Sequence, residues 1–160
     1  MSTTEPPVEG DALARDIMTT PVITVSPDLS VKDLAALFRD KKIGGAPVVE
    51  DGKLAGIVTE GDLMALDADV QYPHYFELFD SIIYLGSQKK FKEQLEKAAA
   101  ANVEQLMTHG DKVKTVGPDD PARAAATLMS KHRFDRVPVV EGEAVVGIVT
   151  RHDIMKILGL

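Results

Sequence analysis

The sequence predicts an α+β protein made of two copies of one strand–helix–strand–strand–helix unit. Three observations carry this. Val22 to Met64 can be laid on Val113 to Met155 at a constant offset of 91 with no gap, and 17 of the 43 positions are identical. Within each copy, alternating apolar runs and a helical stripe follow one another in the same order. Two copies are too few for a solenoid, whose units need several neighbours, so each copy is expected to cover the other's apolar side.

The elements follow in chain order. Val22–Val25 and Val113–Val116 are short β-rich runs that enter a Pro-Asp turn. A helix is expected next, with Ser30 as N-cap and Val31, Leu34, Ala35, Leu37 and Phe38 at helical spacing. Two strands follow, joined at Asp51-Gly52, a strong hairpin signal; the second copy has Gly142-Glu143 there. A short helix then begins after Thr59 or Thr150. Upstream, Ile17-Met18-Thr19 answers Leu106-Met107-Thr108 after a two-residue slip.

The segment between the copies does not repeat. Six of the chain's eight aromatic residues fall between Tyr72 and Phe91. Tyr72 to Leu85 reads as a helix with two apolar stripes, Pro73 in its first turn and Gly86 at its end. Ser87 is expected to cap a second helix, Gln88 to Ala101, with Glu93 and Lys97 as an i, i+4 pair. A helix apolar on so much of its circumference must be covered on two sides. Packing within its own chain and packing at a subunit or partner interface both satisfy that. The expected division is a tail over 1–12, copies over 13–66 and 103–160, and a helical insertion over 67–102.

Composition narrows the function classes. Hydrophobic residues make up 44% and charged residues 27% of the 160, an ordinary soluble composition. No apolar run reaches the ~20 residues that span a bilayer, and Met1 to Gly10 lacks the basic and apolar regions of a secretory signal. A cytoplasmic address is expected. The chain has no cysteine, which excludes disulfides, thiolate metal sites and thiol catalysis. The net charge of −7 disfavours nucleic acid and anionic membranes as partners. Five methionines (Met18, Met64, Met107, Met129 and Met155) read as core filler. His132, Asp135, His152 and Asp153 lack the spacing of a metal site, and no catalytic signature is present.

The chemistry concentrates in the repeated Gly-Ile-Val-Thr-x-x-Asp. Its threonine ends a strand and opens a helix, where unpaired N–H groups would favour a phosphate. Asp62 and Asp153 sit one turn on, where a carboxylate would suit the diol of a ribose. Thr-x-x-Asp is equally a capping box, in which the two side chains satisfy the helix itself. Both readings stand at the level of sequence.

Ile17-Met18-Thr19, Pro47-Val48-Val49 and Gly56-Ile57-Val58-Thr59-x-x-Asp62-Leu63, with their second copies, resemble the CBS domain. The resemblance covers about 17–66 and 103–158, and the middle segment looks like the insertion in certain bacterial two-domain members. It implies two βαββα domains related by pseudo-twofold symmetry, a CBS pair or Bateman module, commonly assembled as a homodimer. It further implies a regulatory ligand, AMP, ADP, ATP or S-adenosylmethionine, and no obligatory cofactor. On this resemblance Asp62 and Asp153 hold ribose, and Thr59 and Thr150 contact ribose or phosphate. Ile23-Thr24 with Ala46-Pro47, and Lys114-Thr115 with Val137-Pro138, line the adenine slots.

The copies differ in charge. Arg136, Arg151, His132 and Arg133 of the second stand where the first has Gly45, Glu60, Lys41 and Lys42. A phosphate-bearing ligand is therefore expected at Thr150, Asp153 and Arg136, unless Arg136 is neutralised by Asp135 or Glu141. The resulting expectation is an adenine-nucleotide sensor, not an enzyme, acting on a regulated protein of unknown identity. The alternative is a ligand-free dimerisation or interaction module using the aromatic segment 72–85.

Overall fold

The computed structural model describes residues 12–68, 74–78, 81–85 and 101–158, with the backbone alone for 67–68 and for the two segments between 74 and 85. The elements are α1 (Ala14–Ile17), α2 (Val31–Lys41), β1 (Gly45–Glu50), β2 (Lys53–Thr59), α3 (Glu60–Ala68), β3 (His74–Leu78), β4 (Ser81–Leu85), α4 (Val103–Leu106), β5 (Thr108–His109), a 3-10 turn at Gly110–Lys112, α5 (Ala122–His132), β6 (Arg136–Glu141), β7 (Ala144–Thr150) and α6 (Arg151–Ile157). The chain divides into two compact units, one of Met1–Val25, Ala46–Ile57 and Thr108–Leu160, the other of Ser26–Gly45 and Val58–Met107.

Each expected element within the copies has a local cause. Ser30 caps α2 by accepting the Asp33 N–H at 3.1 Å, and Leu34 and Phe38 are the buried residues of that helix. Lys42 and Arg133, 91 residues apart, end α2 and α5 in the left-handed conformation. Asp51 and Gly52 both take positive φ, which matches the twist of a two-residue hairpin turn joining β1 to β2.

The run before each helix is shorter than a strand. Val25 and Val116 each make one parallel bridge, to Val48 and Val139. Val116 donates to the Pro138 carbonyl at 3.1 Å, and Val140 donates to Val116 at 2.9 Å. A continued parallel ladder would need the next N–H from residue 138 to the carbonyl of Lys114. Proline has none, so pairing stops there. Pro47 acts in the same way against Ile23, beyond the bonds that Val25 makes with Pro47 and Val49.

Each copy's lead-in segment pairs with the other copy, reciprocally. Ala14 and Arg15 donate to the carbonyls of Asp120 and Pro118; Val103 and Glu104 donate to those of Leu29 and Pro27, all at 2.8–3.0 Å. Thr19 bridges Ile148 of β7, while Thr108 of β5 pairs with Ile57 of β2. The short helices α1 and α4 that carry this exchange were not expected from periodicity.

In the first unit, Ala14, Ile17, Val116, Ala122, Ala125, Met129, Val137, Val139 and Val149 form one apolar cluster. In the second, Leu34, Phe38, Val58, Val103 and Met107 are buried. Full burial of an aliphatic side chain contributes about 1.5–3 kcal/mol, so these residues hold each unit together. Two of the five methionines depart from the core-filler expectation: Met64 and Met155, at matching positions of α3 and α6, are 65% and 44% exposed.

The middle segment corrects a helix to strands. His74–Leu78 and Ser81–Leu85 pair antiparallel, Tyr75 with Tyr84 and Phe76 with Ile83. Tyr75, Phe76, Ile82, Ile83 and Tyr84 are β-branched or aromatic types that favour the strand. Tyr72, Pro73 and the helix expected from Gln88 lie outside the described residues, except Ala101, which is non-helical.

Candidate functional site

The second copy's motif is assembled within the first unit. Arg136 opens β6 and pairs in register with Thr150, the last residue of β7; Val137 pairs with Val149 and Pro138 with Ile148. Val137 and Pro138 are fully buried, whereas Lys114 and Thr115 are exposed. Because the ladder ends at Pro138, no hydrogen bond among the described residues engages the backbone of Lys114 or Thr115. That is one edge of open backbone polar groups beside a buried apolar strand, the combination that a flat heterocycle needs.

The Arg136 residue is half-buried, and its side chain makes no ion pair or hydrogen bond among the described residues. Asp135, with Glu141 one of two candidate neutralisers, pairs instead with Arg151 at 2.8 Å, both exposed. Arg133 sits at the left-handed cap of α5, and His132 stacks on Phe134 with ring centroids 5.5 Å apart.

The Thr150–Asp153 junction takes the capping-box form. Asp153 accepts the Thr150 N–H at 2.9 Å and its hydroxyl at 3.1 Å, and donates its own N–H back to that hydroxyl at 3.4 Å. The Arg151 N–H donates to the Asp135 carbonyl at 3.2 Å. Two of the N–H groups expected to face a phosphate, those of Arg151 and Asp153, are therefore used by the protein.

Two residues that the motif did not name complete this junction. Thr19 donates its hydroxyl to both carboxylate oxygens of Asp153, at 3.2 and 3.1 Å, and Lys156 places its ammonium 2.9 Å from Oδ1. Asp153 is 1% exposed. Burial alone pushes its carboxyl up, but the Lys156 ammonium, the Thr150 N–H and the two threonine hydroxyls outweigh this and hold it below the ordinary range. The signals were present in sequence: Lys156 lies three residues after Asp153 on a helix, and Thr19 belongs to the repeated Ile17-Met18-Thr19.

The first copy is built differently. Ile23, Thr24, Ala46 and Pro47 belong to the first unit, and Gly45, Thr59 and Asp62 to the second. Asp62 accepts from the Thr59 N–H at 2.8 Å and hydroxyl at 3.3 Å, and Glu60 donates to the Gly44 carbonyl at 2.9 Å. Asp62 is half-exposed, and the residue three positions on is Ala65 in place of a lysine. Among the described residues no group of three or more acidic or histidine side chains could hold a metal. No helix there is long and apolar enough to cross a membrane.

The reciprocal exchange and the doubled Thr-x-x-Asp define a tandem β-α module, and comparison with known proteins places it. The CBS domain family model matches residues 14–69 and 103–160. The chain belongs to the CBS-domain family and carries two copies of the domain. MJ1426 of Methanocaldococcus jannaschii is 36% identical over 91% of this chain and 90% of that protein. The chain spans only 36% and 23% of two longer relatives. Among solved structures, the CBS domain pair of protein MJ0100, in complex with 5'-methylthioadenosine and S-adenosyl-L-methionine, is 30% identical with a TM-score of 0.68, covering 92% of this chain and 96% of that one. CBSX2 of Arabidopsis thaliana in complex with AMP is 28% identical with a TM-score of 0.67, over 90% and 93% of the two chains.

Proposed function

We propose that this chain is a regulatory module that binds an adenosine compound and acts on a partner protein, with no catalysis of its own. Its two domains, over 13–66 and 103–160, would work as a cytoplasmic homodimer. The observation that carries the reading is Arg136. In a chain with 25 acidic and 18 basic side chains, a half-buried guanidinium has no carboxylate partner among the described residues although Asp135 precedes it. Such a group suits a ligand phosphate, which accepts charge-assisted hydrogen bonds. Beside it, the open backbone of Lys114-Thr115 and the buried Val137-Pro138 suit an adenine. The adenosine complexes of MJ0100 and CBSX2 support the same ligand class.

Thermal melts and calorimetry with AMP test this. A ligand that binds only the folded form stabilises it by about 2.7 kcal/mol at one hundred times its Kd, a rise of roughly 5–11 °C for a chain of this size. Loss of one charge-assisted contact in Arg136→Ala is expected to weaken AMP by roughly 10–100-fold, from about 1.5–3 kcal/mol. Asp62→Ala is expected to weaken it far less. Equal losses in the two variants, or no AMP uptake at millimolar concentration, refute the reading.

A further inference from the structure

We infer that Lys156 sets which adenosine compound the second copy accepts, by making its site demand a ligand with its own negative charge. The inference rests on the reading above. A carboxylate offers about four lone-pair directions. Those of Asp153 are filled: Oδ2 receives the Thr150 N–H and hydroxyl and a Thr19 contact, while Oδ1 receives Thr19 and Lys156. A ribose diol finds no free acceptor there until one donor leaves.

Lys156 is the donor most easily released. The Thr150 N–H is fixed by the strand-to-helix turn, and Thr19 is fixed by its backbone pairing with Ile148. The lysine side chain is 56% exposed against 2% for the aspartate, and its stem has four rotatable carbons. Once displaced, the ammonium has lost its anion. A ligand phosphate supplies another one. A neutral 5'-substituent supplies none, and a sulfonium adds a second cation. Asp62 imposes no such demand, because among the described residues only Thr59 donates to it and Ala65 stands in the lysine's place.

The test compares AMP with 5'-methylthioadenosine by calorimetry on the full chain. Lys156→Met and its parent both carry Asp62→Asn, so that the heat reports the second copy. The ratio of AMP to 5'-methylthioadenosine affinity is expected to fall at least 5-fold in the Lys156→Met variant. An unchanged ratio with both compounds still bound overturns the inference and leaves the adenosine reading intact. Failure of AMP to bind the unmodified chain overturns both. If Lys156→Met melts before it can be titrated, Ala65→Lys in the otherwise unmodified chain carries the test. It is expected to weaken 5'-methylthioadenosine at the first copy about 5-fold, and unchanged binding by a folded Ala65→Lys protein overturns the inference.

Discussion

Replacing Asp153 with alanine separates what the two copies of one motif contribute. In the second copy the change removes a carboxylate that is 1% exposed and that serves the Thr150 N–H and hydroxyl, the Thr19 hydroxyl and the Lys156 ammonium. Loss of the helix cap costs about 1 kcal/mol. Loss of hydrogen bonds to a charged group adds about 1.5–3 kcal/mol, toward the lower end because Thr150 is half-buried and Thr19 exposed. Lys156 adds little, since its exposed ammonium regains water. The sum is about 3 kcal/mol. Among the described residues Asp62→Ala removes the Thr59 contacts of a half-exposed carboxylate, so about 1 kcal/mol is expected. Urea unfolding followed by far-ultraviolet circular dichroism reads both. With a slope of about 2 kcal/mol per molar, the midpoints should fall by roughly 1.5 M and 0.5 M. Equal falls would refute the argument, because Thr19 and Lys156 would then contribute nothing to the second junction.

Two further outcomes follow from the same geometry. A Cβ on Gly147 would overlap the side chain of Met18, so Gly147→Ala should destabilise by about 1–3 kcal/mol, and Met18→Ala in the same chain should recover most of it; a neutral Gly147→Ala in thermal melts contradicts this packing. The Asp153 carboxyl is held below its usual range in the folded state, so its stabilisation is present above about pH 4 and is lost as pH falls through the folded value. Stability of the unmodified chain should therefore drop more steeply below pH 4 than that of Asp153→Asn, and parallel profiles would remove Lys156 and Thr19 from the account.

Local chemistry made much of the fold legible in advance. Ser30 as a cap, Asp51-Gly52 as a turn and the strand-to-helix step at Thr59 and Thr150 depend on neighbours within a few residues, and each stands where the residue types require. The capping form of Thr150-x-x-Asp153 was legible as one of two readings, because the spacing that holds a helix start is the spacing that could hold a ribose. The middle segment departs from its helical reading because spacing alone pointed to a helix, whereas its β-branched and aromatic types favour strands that pair antiparallel.

The amino-acid order alone settled the duplication, the strand–helix–strand–strand–helix plan and the excess of cations in the second copy. Three-dimensional packing alone decided that each lead-in crosses to the other copy, that Thr19 reaches Asp153 across 134 positions, and that Asp135 turns to Arg151, leaving Arg136 without an ion pair among the described residues. The reason is physical: periodicity and capping are fixed by contacts a few residues apart. Which buried carboxylate is saturated, and which guanidinium lacks a counter-charge, depends on partners that only the folded chain brings within 3 Å.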